Sequence, residues 1–506
     1  MDFLNAHLLT LILFTPTVAA LLVLLIPAGQ VRVIRWVAFI GSLVPLGLSV
    51  FLWFGYHPAQ AGFQFQEFVP WYQAIGANYH LGVDGISVPM VVLTTLLSPL
   101  AILVSFSVRE RVRGYMALFL LLETGLLGVF LSLDLLLFFV FWEAGLVPMY
   151  FLINQWGSEN RNYASLKFLI YTMGGSLGLL LAIQMIRLVV GSFDFPVLYS
   201  QWTSLSGTLF GIPVGTVKIL AFWAFVIAFA VKIPIWPFHT WLPDAHTEAP
   251  TAASIILAGV MLKLGAYGFL RLVLPLYPLE AHNFAGVLGA LAVAGIVLGA
   301  FASWGQTDFK RLVAYSSVNH MGFVVLGIAA AAWARGSASS SDAVLALNGA
   351  VLQMFNHGLS AAGMFLLVGV LYERTHTRQL NDYGGLFPLA PLYGGILIFT
   401  SMGSLGLPGL GGFISEFLVV RGSWPIFTLY TAIGMIGLLI TGAYILKAVQ
   451  KVLHGPVSTR WQGHSLEMGA REIVAISPLM ILMLAIGIWP AWILNMINAA
   501  VTRLIG

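Results

Sequence analysis

Apolar and polar residues follow one another along this chain in long blocks. Stretches of the roughly 20 uncharged residues needed to span a bilayer as a helix recur near 5–27, 35–54, 84–107, 114–132, 134–153, 163–189, 212–247, 251–274, 283–303, 311–333, 343–372, 387–421, 425–453 and 473–500. They predict an all-α membrane protein of fourteen transmembrane helices. Two blocks are too long for one span and carry interruptions: KIPIWPFHTWLP in the seventh and SMGSLGLPGLGGFISEF in the twelfth. Proline removes a backbone donor and glycine loosens a helix, so both are predicted to be discontinuous, with freed carbonyls facing protein or water. Helices five apart cross the membrane in opposite directions. Helices 4–8 and 9–13 therefore read as two inverted five-helix repeats, an arrangement transporters build around a midplane site. The division expected is one transmembrane domain over 1–506: helices 1–3 in 1–110, the repeats in 111–275 and 281–454, and a loop with the last helix in 455–506.

Composition sharpens this picture. Of 506 residues 59% are hydrophobic and 8% charged, with a mean hydropathy of +0.94; soluble domains carry about 25% charged residues. Cysteine is absent, which rules out thiolate-held iron–sulfur clusters, thiolate metal sites and disulfides in this chain. The net charge of +4 comes from loop clusters, so nucleic acid is not an expected partner. The first block lacks the basic start of a secretory signal and is expected to be a retained helix. With the N-terminus outside, cytoplasmic loops collect fifteen Lys and Arg against six on the other side, and the loop from 55 to 83 has none. That bias predicts both termini on the non-cytoplasmic side.

Against this background a few ionisable residues stand within spans, where a charge costs roughly 2.5–3.5 kcal/mol on insertion scales and marks function by default. Lys232 closes an apolar block before Pro234 and Pro237, and Lys263 lies midway along the eighth block. Both are too far from a helix end to reach the headgroups. Glu143, midway along the fifth block, is the expected counter-charge of Lys232. His320 and His357, in the tenth and eleventh blocks, can relay protons because imidazole both donates and accepts; two histidines on separate helices can equally ligate a haem. Glu416 follows the Gly/Pro break of the twelfth block, where it is expected to mirror Lys232, with a surface pairing to Arg421 as the alternative. Glu123, His239, Asp244 and His246 are secondary candidates, and Asp84 and Asp134 are expected to cap helices. HTWLPDAH has no regular spacing that puts three metal ligands on one face.

These residues fall in recognisable strings: FWE with Pro148 at 141–148, VKIPIWPFHTWLPDAHTEAPTAASIILAGVMLKLGAYG at 231–268, DFKRLVAYSSVNHMGF at 308–323, NHGLSAAGMF at 356–365, LYERTHTR at 371–378 and GFISEF at 412–417. Together they resemble the antiporter-like subunits of proton-pumping NADH:quinone oxidoreductase, respiratory complex I. The resemblance implies fourteen helices with two inverted repeats, proton translocation through Glu143, Lys232, Lys263, His320, His357 and Glu416, and no cofactor bound in this chain. FMN, iron–sulfur clusters and quinone are implied in partner subunits, which include sibling antiporter-like subunits. The implied location is a bacterial inner membrane, or a thylakoid membrane for a photosynthetic counterpart. Two related families keep an alternative open: the large subunits of multisubunit sodium/proton antiporters and of membrane-bound hydrogenases. Most of these relatives resemble one another in placing a lysine where this chain has Glu416. A haem-bearing electron-transfer subunit is a second alternative.

Overall fold

The computed structural model describes residues 4, 6–209 and 211–505; Asn5, where the first predicted block begins, lies outside the described residues. Among those described, thirteen helices are long and apolar enough to cross a membrane. They are α1 (Leu8–Leu25), α2 (Val31–Gly55), α3 (Ser87–Val104), α4 (Val112–Leu131), α5 (Leu135–Trp156), α6 (Arg161–Val190), α7 (Val214–Lys232, resuming at Trp241–Glu248), α8 (Thr251–Leu276), α9 (Pro278–Trp304), α10 (Phe309–Ala334), α11 (Ser340–Thr375), α13 (Thr428–Leu453) and α14 (Ala470–Ile488). The fourteenth span, α12, is split into Pro391–Leu405 and Gly411–Ser423. The chain is thus a multi-pass membrane protein in which α7 and α12 are discontinuous at the two predicted breaks. Helices α8, α10 and α11 are almost wholly covered by their neighbours, whereas α2, α6 and α14 leave most of their surface outward. The three covered helices carry Lys263, His320 and His357.

The broken helices settle their backbone groups as a bilayer demands. In α7 the Trp241 indole donates to the Val231 carbonyl at 2.9 Å, and Ile235 N–H reaches back to Ala230. In α12 the break is made by Gly406 and Gly409, at φ +82° and +95°. Asn356 of α11 donates to the Gly411 carbonyl at 2.7 Å. Two close approaches depend on missing side chains. A Cβ on Gly349 of α11 would lie 2.5 Å from the Val419 nitrogen of α12, and one on Gly265 of α8 would lie 2.7 Å from the Phe229 carbonyl of α7. Glycine at these points brings backbones together so that the ionisable side chains of neighbouring helices converge.

Several features depart from the predicted elements. Residues 55–83 contain an antiparallel hairpin, β1 (Gln64–Tyr72) against β2 (Ala77–Val83). A helix at Phe195–Ser204 lies between α6 and α7. The last predicted block, 473–500, is two helices, because α14 stops at Ile488 and Pro490 precedes α15 (Ala491–Ile505); proline lacks the donor needed to continue a helix. α5 is interrupted at Gly145, two residues after Glu143. α8 contains two π-helical segments, Leu257–Met261 and Phe269–Val273, on either side of Lys263. The expected caps are present: Asp134 accepts from Leu136 and Leu137, and Asp84 accepts from Ile86 and Ser87.

Candidate functional site

The site begins in α8. The π segment ahead of Lys263 leaves its turns wider than α-helical, as π-bulges do, often at functional positions. The Lys263 ammonium, fully buried, donates to the freed Ala258 carbonyl of that segment and meets Nδ1 of His357 at 2.7 Å. His357 belongs to α11, and its other ring nitrogen is buried without a partner. Its ring lies 5.6 Å, centre to centre, from that of His320 in α10. His320 Nδ1 in turn contacts Glu416 Oε1 of α12 at 2.8 Å, which places a proton on Nδ1 when the carboxylate is ionised. Gln353 Nε2 donates to the same oxygen at 2.9 Å, and the Tyr444 hydroxyl lies 3.5 Å from His320 Nε2. Lys263, His357, His320 and Glu416 therefore form a buried row across four helices, hydrogen-bonded at each end and joined in the middle by the two imidazole rings lying 5.6 Å apart. Ionisable side chains inside apolar blocks named its members; the order of the two histidines needed the structure.

Glu416 Oε2 has no hydrogen-bond partner and points to Gly406 at the α12 break. Arg421 pairs instead with Asp342 at 3.4 Å, so the surface pairing of Glu416 does not occur. The mirror relation to Lys232 also needs correction. Lys232 ends the first segment of α7, whereas Glu416 lies in the second segment of α12. Two helix pairs carry these groups: α5 and α7 carry Glu143 and Lys232, and α10 and α12 carry His320 and Glu416. In the second pair the groups touch. In the first they do not: no ion pair joins Glu143 to Lys232, and the Lys232 ammonium sits 4.6 Å over the Trp142 ring while making no hydrogen bond. A cation on an indole face is a favourable resting place that leaves all three N–H donors available. Glu143, next along α5, is only partly covered and has one buried oxygen without a partner.

The secondary candidates divide. Asp244 is held by Lys167 at 2.7 Å and Arg311 at 3.3 Å, an ion-pair cluster at the end of the bundle. His246 is wholly buried, stacks on Phe365 at 4.3 Å, and has no partner for either nitrogen. His239 lies beside Tyr315. Glu123 is 1% exposed with both oxygens unpartnered. Among the described residues no group of three or more His, Asp or Glu could hold a metal ion. His320 and His357 are packed ring to ring, and the Nδ1 atoms of the two rings are engaged by Glu416 and Lys263.

Residues 132–441, which hold the whole row, match the family described as NADH:quinone oxidoreductase/Mrp antiporter, TM. The chain is 39% identical to NADH-quinone oxidoreductase subunit M of Rhodobacter capsulatus over 99% of this chain and 96% of that one. The chain belongs to the NADH:quinone oxidoreductase/Mrp antiporter transmembrane family. Subunit M of Escherichia coli (strain K12) is 40% identical over 93% of this chain and 92% of its own length. Among solved structures, a chain of respiratory complex I from Thermus thermophilus with bound NADH superposes with a TM-score of 0.84 at 29% identity, covering 98% of this chain and 100% of that one. A chain of the Mrp complex from Dietzia sp. DQ12-45-1b gives 0.83 at 20% identity, covering 99% and 97%, and so shares the fold.

Proposed function

We infer that this chain is a proton-translocating, antiporter-like membrane subunit of a complex I-type NADH:quinone oxidoreductase, and that Lys263, His357, His320 and Glu416 carry protons between its two repeats. The carrying observation is the row itself: amine, imidazole, imidazole and carboxylate in sequence, each able to hold or release a proton. Its partners are other membrane subunits of the complex, sibling antiporter-like subunits among them. Redox chemistry on FMN, iron–sulfur clusters and quinone belongs to partner subunits and supplies the drive. In this reading Lys232 and Lys263 are loaded from one side, with Glu143 tuning Lys232 through space, and Glu416 discharges towards the α12 break. Residues 111–275 and 281–454 are taken as the two repeats.

The test is His320→Gln in the assembled complex. Glutamine can still donate to Glu416 but cannot take up a proton in turn. The number of protons pumped per electron pair is expected to fall by the share of this subunit while the complex still assembles; an unchanged ratio, measured by pH jump in sealed vesicles, would overturn the reading.

The loop charges further support an orientation with both termini outside the cytoplasm. Gln66 is exposed on β1, and this chain contains no native cysteine. Gln66→Cys is expected to react with an impermeant maleimide in intact spheroplasts. Labelling only after the membrane is opened would reverse the orientation.

A further inference from the structure

At the end of the bundle where α2, α8 and α10 finish and α3 begins, a cavity of about 300 Å³ opens among Arg271, Arg335, Arg503 and Asp84. This lies away from the proton row, and the proposed mechanism leaves it unused. Among the described lining residues three guanidinium groups face one carboxylate, so two positive charges are uncompensated by them. Arg271 is spent internally: it grips both oxygens of Asp84 at 2.6 and 3.0 Å and donates to Ser87 and Tyr267. Burial alone would raise the Asp84 pKa, but Arg271 and the helix-capping N–H groups hold it below the ordinary carboxylate value. Asp84 is therefore an anion already matched. Arg335 and Arg503 are different. Arg335 gives one N–H to the Leu274 carbonyl at 2.9 Å, and Arg503 gives one to the Gln60 carbonyl at 3.2 Å with the Tyr56 hydroxyl beside it, so each keeps most of its five donors. The buried hydroxyl of Tyr56 lies beside Arg503, Asp84 and the backbone of Gly85.

The remaining wall of the cavity is apolar, including Phe63 and Leu504. Two residues before Arg335 in the chain is Trp333, 44% exposed, the kind of side chain that settles at the headgroup level of a bilayer. Two free planar forks suit a phosphate, which guanidinium binds through paired hydrogen bonds. We propose that this cavity is a phosphate-binding site held by Arg335 and Arg503, and that the phosphate is that of an anionic phospholipid whose glycerol and first acyl carbons lie against Phe63 and Leu504. Free phosphate shares the recognised chemistry but makes no use of the apolar wall.

The test uses the assembled complex, stripped with detergent until only tightly held lipid remains, with phosphatidylglycerol and inorganic phosphate as probes. Phosphatidylglycerol retained per complex is counted by mass spectrometry, and binding of labelled orthophosphate is measured on the stripped material. The double variant Arg335→Gln/Arg503→Gln leaves the Arg271–Asp84 pair untouched and is expected to retain one phosphatidylglycerol fewer than the parent. Arg187→Gln, which removes an arginine bonded to the Ile75 carbonyl outside the cavity, is expected to retain the full number. Saturable orthophosphate binding that disappears in the double variant, with lipid retention unchanged, keeps the phosphate site and assigns it to the free anion. Equal retention of both probes by parent and double variant overturns the proposal. So does a neighbouring subunit's carboxylate found seated between Arg335 and Arg503 in the assembled complex.

Discussion

Lys263→Arg and Lys263→Met are both expected to slow NADH-driven proton pumping on the order of tenfold or more, the scale on which a positioned proton-transfer group matters. The two variants separate two roles. Arginine keeps the positive charge opposite His357 but does not give up its proton, since a guanidinium stays protonated in proteins. Methionine fills the volume without charge or donor, so it avoids the cavity that alanine would open in a helix with no exposed face. A lysine that only balances charge or fixes packing would tolerate arginine. A lysine that passes a proton to His357 Nδ1, 2.7 Å away, would tolerate neither. Normal pumping by an assembled Lys263→Arg complex would remove Lys263 from the path and leave it as an anchor for the Ala258 carbonyl.

Glu416→Gln is expected to depress pumping to a similar degree, again on the order of tenfold, because the amide preserves size and hydrogen bonding while abolishing proton uptake. The contacts define how each substitution fails. With glutamine, Gln353 and His320 still find an oxygen acceptor, so assembly survives. With aspartate, one methylene shorter, the 2.8 Å contact to His320 lengthens and pumping is expected to be partly retained. With lysine, two positive charges would face each other whenever His320 is protonated, at a separation where like charges repel strongly in a low-dielectric interior; the transfer from His357 would stall. Measuring protons per electron pair and complex assembly together distinguishes these outcomes. If Glu416→Gln pumps as the parent does, the discharge point lies elsewhere.

How far the fold and site were legible can be judged residue by residue. Span count and the two broken helices followed from block length and from Pro and Gly within apolar sequence, because a bilayer forces backbone satisfaction within each span. The ionisable residues announced themselves by cost: a lysine between Leu262 and Leu264 needs a reason. Partnerships were less legible. Opposite charge on helices of one repeat suggested Glu143 with Lys232, yet Trp142 occupies the place beside the ammonium, and an aromatic face leaves no mark in a pattern of charges. Arg421 looked available to Glu416 by proximity in sequence, but five residues along a helix put the two on different faces. The β1–β2 hairpin, the kink at Gly145 and the π segments of α8 were invisible because each is set by tertiary packing.

Lys263, His357 and His320 lie near the middle of α8, α11 and α10, and Glu416 lies about one turn beyond the α12 break, so the row is expected to run sideways, in the plane of the membrane. A charge crossing the bilayer does work of about 2.3 kcal/mol per 100 mV, but a charge travelling at constant depth does almost none. The transmembrane voltage therefore bears on loading and discharge and scarcely touches the middle leg. On the proposed path, transfer from repeat to repeat is expected to run at the same rate in a fully energised membrane as in a depolarised one, with the back-pressure of the proton-motive force met only at the two ends.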